Sequence, residues 1–412
     1  MEISIIGGGV GGLTLALMLH RAGIGVRVFE AAAQIRPIGV GINILPHASL
    51  ELARLGLEPA LARVAVATTD ATFFNRFGQL IYTEPLGRAA GYEAPQFSIH
   101  RADLHGVLIE AFRERVGDDR LHLGWKCTGF RQDGDAVRLD FVDAATGAPR
   151  EAHRAPIAIA ADGIHSAVRR QMFPDEGPPK YSGVNMWRGA TPWPKVLSGA
   201  SMVRAGWLTD GKMVIYPIRN HVDAQGRQLM NWVAEVQTPV YEARDWNRKG
   251  RLEDFIGAFA DWHFDWLDVP AMIRATETIL EFPMVDQDPL PRWTHGRITL
   301  LGDAAHPMYP RGSNGAGQAI LDAKCLAELL AAGGDVVEAL QQYDDIRRPA
   351  TAKVVLTNRS TPPDVIIREV WERTGNQPFA NIDDVISQDE LRALSDSYKR
   401  VAGYDKETLA RR

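Results

Sequence analysis

A short apolar run that breaks on a cluster of glycines opens the chain. Ile3-Ser4-Ile5-Ile6 stops at Gly7-Gly8-Gly9-Val10-Gly11-Gly12, and an apolar stretch over residues 13–19 follows. The order predicts strand, tight turn, helix. The glycines of this fingerprint have distinct physical roles. Gly7 permits the turn, Gly9 lets a pyrophosphate approach the backbone, and Gly12 lets helix and strand pack closely, with Gly11 beside it. The free N–H groups and positive end of the helix then point at phosphate. A second strand over residues 26–29 ends at Glu30, eighteen residues past Gly12. A carboxylate there accepts ribose hydroxyls and repels a 2′-phosphate. An isolated glycine fingerprint says little, whereas one bracketed by strand, helix, strand and acid predicts a dinucleotide site.

A second run, nearly three hundred residues later, selects the dinucleotide. Residues 297–301 read as a buried strand bounded by Gly296 and Gly302, and Asp303 stands at its carboxyl end, where α/β sheets bind ligands. Beyond His306-Pro307 and Pro310, the turn Gly312-Ser313-Asn314-Gly315-Ala316-Gly317 opens a predicted helix over 318–330. Its positive end, at Gly315 and Ala316, suits the edge of an isoalloxazine where charge settles on reduction. Only a flavin dinucleotide is long enough to use both ends, so the expected cofactor is FAD.

At these residues the chain resembles the FAD-dependent aromatic hydroxylases, single-component flavoprotein monooxygenases related to p-hydroxybenzoate hydroxylase. The shared motifs are the fingerprint with Glu30, the run Asp162-Gly163-Ile164-His165-Ser166-Ala167-Val168-Arg169, and residues 302–310. They keep the family order and span residues 1 to about 350. Further stretches at 35–43, 96–101, 186–189, 245–254 and 283–291 are similar to the phenazine-modifying branch of that family. The resemblance implies that Arg36 contacts cofactor and that the turn at Gly41 runs beside the flavin. It also implies that Arg101 reaches the FAD phosphates or ribose, that Asp162 touches the ribose side, and that Arg169 steadies its own run near the NAD(P)H approach. Asp162 also qualifies as the N-cap of a helix over 164–170, and Arg101 could instead pair with Asp103.

The implied fold is α/β: a Rossmann-like FAD-binding domain with a parallel sheet, interleaved with an antiparallel β-sheet substrate domain, plus a C-terminal helical segment. Residues 1–70, 99–177 and 276–355 are assigned to the first, 71–98 and 178–275 to the second, and 356–412 to the tail. Alternating runs at 72–75 and 80–83, and strand-like runs at 185–189, 213–217 and 229–233 in a tryptophan-rich region, support the second sheet. Residues 254–266 read as an amphipathic helix and the region following it, and Ser387-Gln388-Asp389-Glu390 as a capping box. The charged tail is expected to cover the cofactor domain or an oligomer contact, without chemistry of its own.

Composition narrows the partners. A net charge of −5 without a basic run argues against nucleic acid. No apolar stretch approaches the length of a membrane span. Cys127 and Cys325 are the only cysteines, too few for a disulfide framework and without metal-ligand spacing. With Met1 running straight into the first strand, a cytoplasmic protein without a metal is expected.

No paired acids, nucleophile elbow or metal cluster is visible, so the cofactor must carry the chemistry. No second complete fingerprint provides an NAD(P)H domain, which fits a nicotinamide that visits transiently. The resemblance implies FAD reduction by NAD(P)H, reaction with O₂ to a C4a-hydroperoxide, and hydroxylation of an electron-rich aromatic ring. Pro307 and Pro310 would hold a water-excluding loop. His306 is a candidate base, although its place inside the cofactor motif favours a loop-bonding role. The expected substrate is a planar aromatic or N-heteroaromatic carboxylate, with its face on Met186, Val214, Tyr216 and Trp232 and its carboxylate on Arg188, Tyr309 or Arg311. Arg311 stands where the phenazine branch carries a methionine, which suggests a smaller or differently anchored acid. Two rivals keep the fold: a flavin dehydrogenase or reductase without oxygen insertion, and a non-catalytic carrier. The first yields no product labelled from ¹⁸O₂; the second is colourless.

Overall fold

The computed structural model describes residues 2–34, 40–238 and 249–410. Its first sheet has the strand order Thr294–His295, Ile298–Leu300, Ala158–Ala160, Glu2–Ile6, Gly25–Glu30, Leu121–Leu123. All neighbours are parallel except the first pair. Ile3, Ile5, Ile159, Ile298 and Leu300 are fully buried, as expected of strands covered on both faces. Parallel pairing puts the carboxyl ends of these strands on one edge, so Gly7, Glu30, Asp162 and Asp303 emerge together. Strand order reverses between Glu2–Ile6 and Ala158–Ala160, and such a switch point opens a ligand crevice.

Helix Val10–Arg21 packs on this sheet through Leu13, Leu15 and Leu17. A Cβ on Gly12 would lie 2.1 Å from the Gly7 carbonyl oxygen, so the close approach admits no side chain. Gly11 touches the second motif, because its Cβ would meet Leu301 at 2.6 Å and Ala319 at 3.2 Å. Ala319 lies in helix Gly315–Ala331, so both glycine turns start helices packed side by side.

The second sheet has seven strands, ordered Leu280–Asp286, Lys180–Trp193, Gln228–Gln237, Lys212–Arg219, Ser201–Ala205, Asp70–Phe74, Leu80–Pro85. Only Ser201–Ala205 and Asp70–Phe74 pair in parallel. Leu280–Asp286 is an edge strand of this sheet, although the sequence groups residues 276–355 with the cofactor half. Alternation gives the sheet two unlike faces. Trp187, Trp232, Met213, Ile215 and Val203 form one, packed on Phe255, Phe259 and Trp262. Met186, Val233 and Val214 lie on the other, against Tyr309.

Residues 254–266 are not a helix. They form 3₁₀ turns at Leu252–Asp254 and Ile256–Phe259, followed by the hairpin His263–Phe264 and Leu267–Asp268. The helical spacing of Phe255, Phe259 and Trp262 has another purpose, since all three fill the core under the sheet. The tail packs on the second sheet, where Ile366, Ile367, Val370 and Leu391 join Ala71, Phe73 and Ile81. The capping box of Ser387 and Glu390 is formed at the start of helix Gln388–Ala402.

Candidate active site

At the first glycine turn Gly7 has φ +104°, a conformation that favours glycine, and Gly9 is exposed with nothing within 4 Å of a hypothetical Cβ. Glu30 is fixed by two backbone donors, Gly8 N at 2.7 Å and Ala32 N at 2.7 Å, which leaves lone pairs for ribose hydroxyls. His105 Nε2 lies 2.5 Å from the Gly8 carbonyl, a contact that no sequence motif announces. Arg101 is exposed at the start of helix Arg101–Arg115, and Asp103 pairs with Arg219 rather than with it. Arg36 lies outside the described residues.

Asp162 Oδ2 accepts the Ala167 N–H at 2.9 Å, while Oδ1 is buried without a partner. Burial pushes its carboxyl above the usual range. Asp162 is not the helix N-cap: helix Ala167–Met172 begins later than the sequence suggests, and Ser166 caps it through the Arg169 N–H. Arg169 is buried, where it donates to the carbonyls of Ala304 and Ala305 at 2.9 Å each and to Glu176. It ties the Asp162 loop to the Asp303 loop and is closed to a visiting nicotinamide.

The Asp303 loop is held from beneath by a buried ion network. Asp322 Oδ2 faces His306 Nε2 at 2.6 Å and Gly302 N at 3.2 Å, and Oδ1 takes Arg347 Nε at 2.7 Å. A carboxylate only accepts, so Nε2 of His306 carries the proton. Burial opposes ionisation of Asp322, yet His306 and Arg347 outweigh it and hold the carboxyl below its usual range. His306 thus gives its Nε2 to the network, while its Nδ1 is buried without a hydrogen-bond partner. Asp303 itself is exposed, 3.9 Å from where a Cβ on Gly315 would stand, and Gly315 and Ala316 are partly exposed at their helix start. Pro307 is buried and Pro310 exposed.

Gly41 begins the strand Gly41–Ile44 of a small third sheet, which pairs with Gln96–His100, and it packs against the second sheet. Its N–H donates to Asn231 Oδ1 at 2.7 Å, and its carbonyl accepts Arg188 at 2.8 Å. A Cβ there would lie 2.7 Å from both Asn231 and Tyr216. Arg188 is thus engaged with backbone, and burial lowers its guanidinium from the usual range. Burial raises the Tyr216 phenol, opposed by Arg188 and Asn43. Met186, Val214, Tyr216, Tyr309 and Arg188 share the face turned to the cofactor half. Trp232 does not. It is fully buried on the opposite face and bonds Thr276 at 2.9 Å, because a strand neighbour of Asn231 and Val233 must point the other way.

Arg311 is buried, with its guanidinium 5.8 Å from the Tyr309 ring centroid. Among the described residues its guanidinium has no hydrogen-bond partner. Its neighbours form a charged cluster invisible to any linear motif. Lys212 Nζ bonds Glu235 at 2.9 Å and Asp364 at 2.6 Å, and Arg204 lies 3.3 Å from Asp364. Burial raises Asp364, but Lys212, Arg204 and Arg311 together keep its carboxyl low.

These features fit FAD. Both helices that start at the glycine turns lack a side-chain cap, which leaves their N–H groups for a ligand, and Asp162 presents an unpartnered buried oxygen between them. The chain belongs to the FAD binding domain family, whose model matches residues 1–358, and the site is that of a flavin-dependent monooxygenase. It is 41% identical to the phenazine 1,6-dicarboxylic acid hydroxylase PhzS of Lysobacter antibioticus, over 97% of both chains. It is 36% identical to the 3-amino-4-hydroxybenzoate 2-monooxygenase PtnB3 of Streptomyces platensis, covering 86% of this chain and 85% of the relative. Among solved structures, a salicylate hydroxylase substrate complex aligns with TM-score 0.74 at 26% identity, covering 100% of this chain and 97% of that one. No helix among the described residues is long and apolar enough to cross a membrane.

Proposed function

We propose that the protein hydroxylates a planar aromatic or N-heteroaromatic carboxylate, with NAD(P)H as electron donor and O₂ as oxygen source, in the reducing cytoplasm where its two cysteines stay free. FAD supplies the redox and oxygen-transfer chemistry when bound. The chain's own residues bind, orient and exclude water. Gly7, Gly9, Gly11, Gly12, Glu30, Arg101 and Asp162 would hold the adenosine and pyrophosphate half, and Gly41, Asp303, Gly315 and Ala316 the flavin half. Met186, Val214 and Tyr216 would support the flat face of the substrate, with Pro307 and Pro310 closing the loop above it.

The observation that carries the carboxylate is Arg311. Arg311 lies at the edge of the buried region beside Tyr309 and makes no guanidinium hydrogen bond to a described residue, so its whole fork is left to match a carboxylate. Arg188 is the second candidate: Gly41 takes its Nη2, while its Nε is buried without a hydrogen-bond partner. The relatives named for a phenazine dicarboxylic acid, an aminohydroxybenzoate and salicylate all act on aromatic acids, which supports the same reading. The test is a panel of aromatic and N-heteroaromatic carboxylates added to the yellow enzyme with NAD(P)H under ¹⁸O₂. At least one should accelerate NAD(P)H oxidation and yield a ring-hydroxylated product carrying the label. NAD(P)H-dependent turnover with no labelled product from any acid would move the protein to the reductases.

A further inference from the structure

We propose that Tyr398, on the C-terminal helix Gln388–Ala402, and Asn358, on helix Val336–Ser360, are positioning residues that fix the loop of Tyr309 and Arg311 for the carboxylate of the substrate. The proposal rests on the reading that Arg311 anchors that carboxylate. The guanidinium makes no hydrogen bond to a described residue, so the place of its fork is set by its backbone and by packing beside the Tyr309 ring. Whatever holds that backbone therefore holds the anchor.

The hold lies on both sides of Arg311. Before it, Asn358 Nδ2 donates to the Tyr309 carbonyl at 3.3 Å, and Asn358 Oδ1 accepts the Tyr398 hydroxyl at 2.7 Å. With its proton given there, the hydroxyl oxygen accepts Asn314 Nδ2 at 2.9 Å, and the same Nδ2 donates to the Gly312 carbonyl at 3.1 Å. One hydroxyl thus links residue 309 to residues 312 and 314, with Arg311 between the two ties and its carbonyl 3.5 Å from that oxygen. Asn358, Tyr398 and Asn314 are all buried, so bulk water does not replace a bond lost among them. A Cβ on Gly312 would collide with the Tyr398 hydroxyl, so the phenol lies directly against the turn. The turn needs support from outside, because Gly312 (φ +75°) and Ser313 (φ +57°) are consecutive left-handed residues and the second is not glycine. The tail, which carries no reacting group, would in this way complete the acid-binding end of the site.

Tyr398→Phe keeps the ring and removes the hydroxyl alone. With the acid that the carboxylate panel selects, substrate KM of the FAD-loaded enzyme should rise about fivefold, the factor one hydrogen bond is worth, while kcat at saturating acid stays near the parent value. A decarboxylated analogue of that acid should show no such rise. In an Arg311→Ala background Tyr398→Phe should have no further effect on KM, because the group it positions is gone. Asn358→Ala breaks the link from the other helix and should raise KM at least as far. Ser395→Ala, which cuts a buried bond from the Tyr398 helix to Glu84, should leave KM unchanged. An unchanged KM in Tyr398→Phe or Asn358→Ala, an equal rise for the decarboxylated analogue, a rise of the same size in the Arg311→Ala background, or an equal effect of Ser395→Ala each overturns the proposal. An Arg311→Ala enzyme with the KM of its parent would instead sink the anchor reading, and the proposal with it.

Discussion

Asp322→Asn tests the network under the Asp303 loop. The carboxylate is fully buried and meets three donors: His306 and Gly302 on one oxygen, Arg347 on the other. An asparagine of the same shape must turn its NH₂ towards one side, so a donor faces a donor whichever way the amide lies. Removing one partner of a buried ion network costs ~3–5 kcal/mol, since the remaining charge is left uncompensated. An unfolding entropy of ~2.1 cal/mol/K per residue over 412 residues converts that loss into a fall of ~3–6 °C in Tm. The pH dependence has a definite sign. His306 and Arg347 hold the Asp322 carboxyl below its ordinary value, so its contribution is present above the unfolded value of about 3.9 and is lost as pH falls through the lower folded value. The variant should therefore differ most from its parent near neutrality and converge with it in acid. Differential scanning fluorimetry from pH 3 to 8 on the FAD-loaded protein measures both. A Tm within ~1 °C of the parent at pH 7, or a gap that widens in acid, would refute the account of this network.

Arg311→Ala removes the proposed carboxylate anchor, and a charge-assisted bond of ~1.5–3 kcal/mol corresponds to a rise of roughly 10- to 150-fold in substrate KM. The change should be smaller for a decarboxylated analogue; an unchanged KM for the acid would dismiss Arg311 as anchor. Both thiols should be inert in the native protein, because burial pushes Cys127 up to about 12 and Cys325 up to about 11. Mass spectrometry after maleimide at pH 7.5 should find neither modified, and rapid labelling of Cys127 in the folded enzyme would contradict its burial.

The amino-acid sequence determined whatever a short backbone window can encode. Gly7, Gly12 and the strands beside them specify a turn through local φ and close packing, and Glu30 follows at a fixed spacing, so the cofactor crevice was legible in linear order. The capping box at Ser387 is local in the same sense. Period-2 alternation marked the second sheet but not the face each residue takes, and Trp232 therefore went to the wrong side. Aromatic spacing at 255, 259 and 262 imitated a helix because core filling and helix amphipathicity leave the same trace. Only the tertiary structure decided which side chains complete one another. Arg169 meets Ala304 and Ala305, Arg188 meets Gly41, and Tyr398 meets Asn314 across the chain. Such partners are chosen by the closure of the two sheets and the return of the tail, and no local rule of propensity or spacing reaches that far.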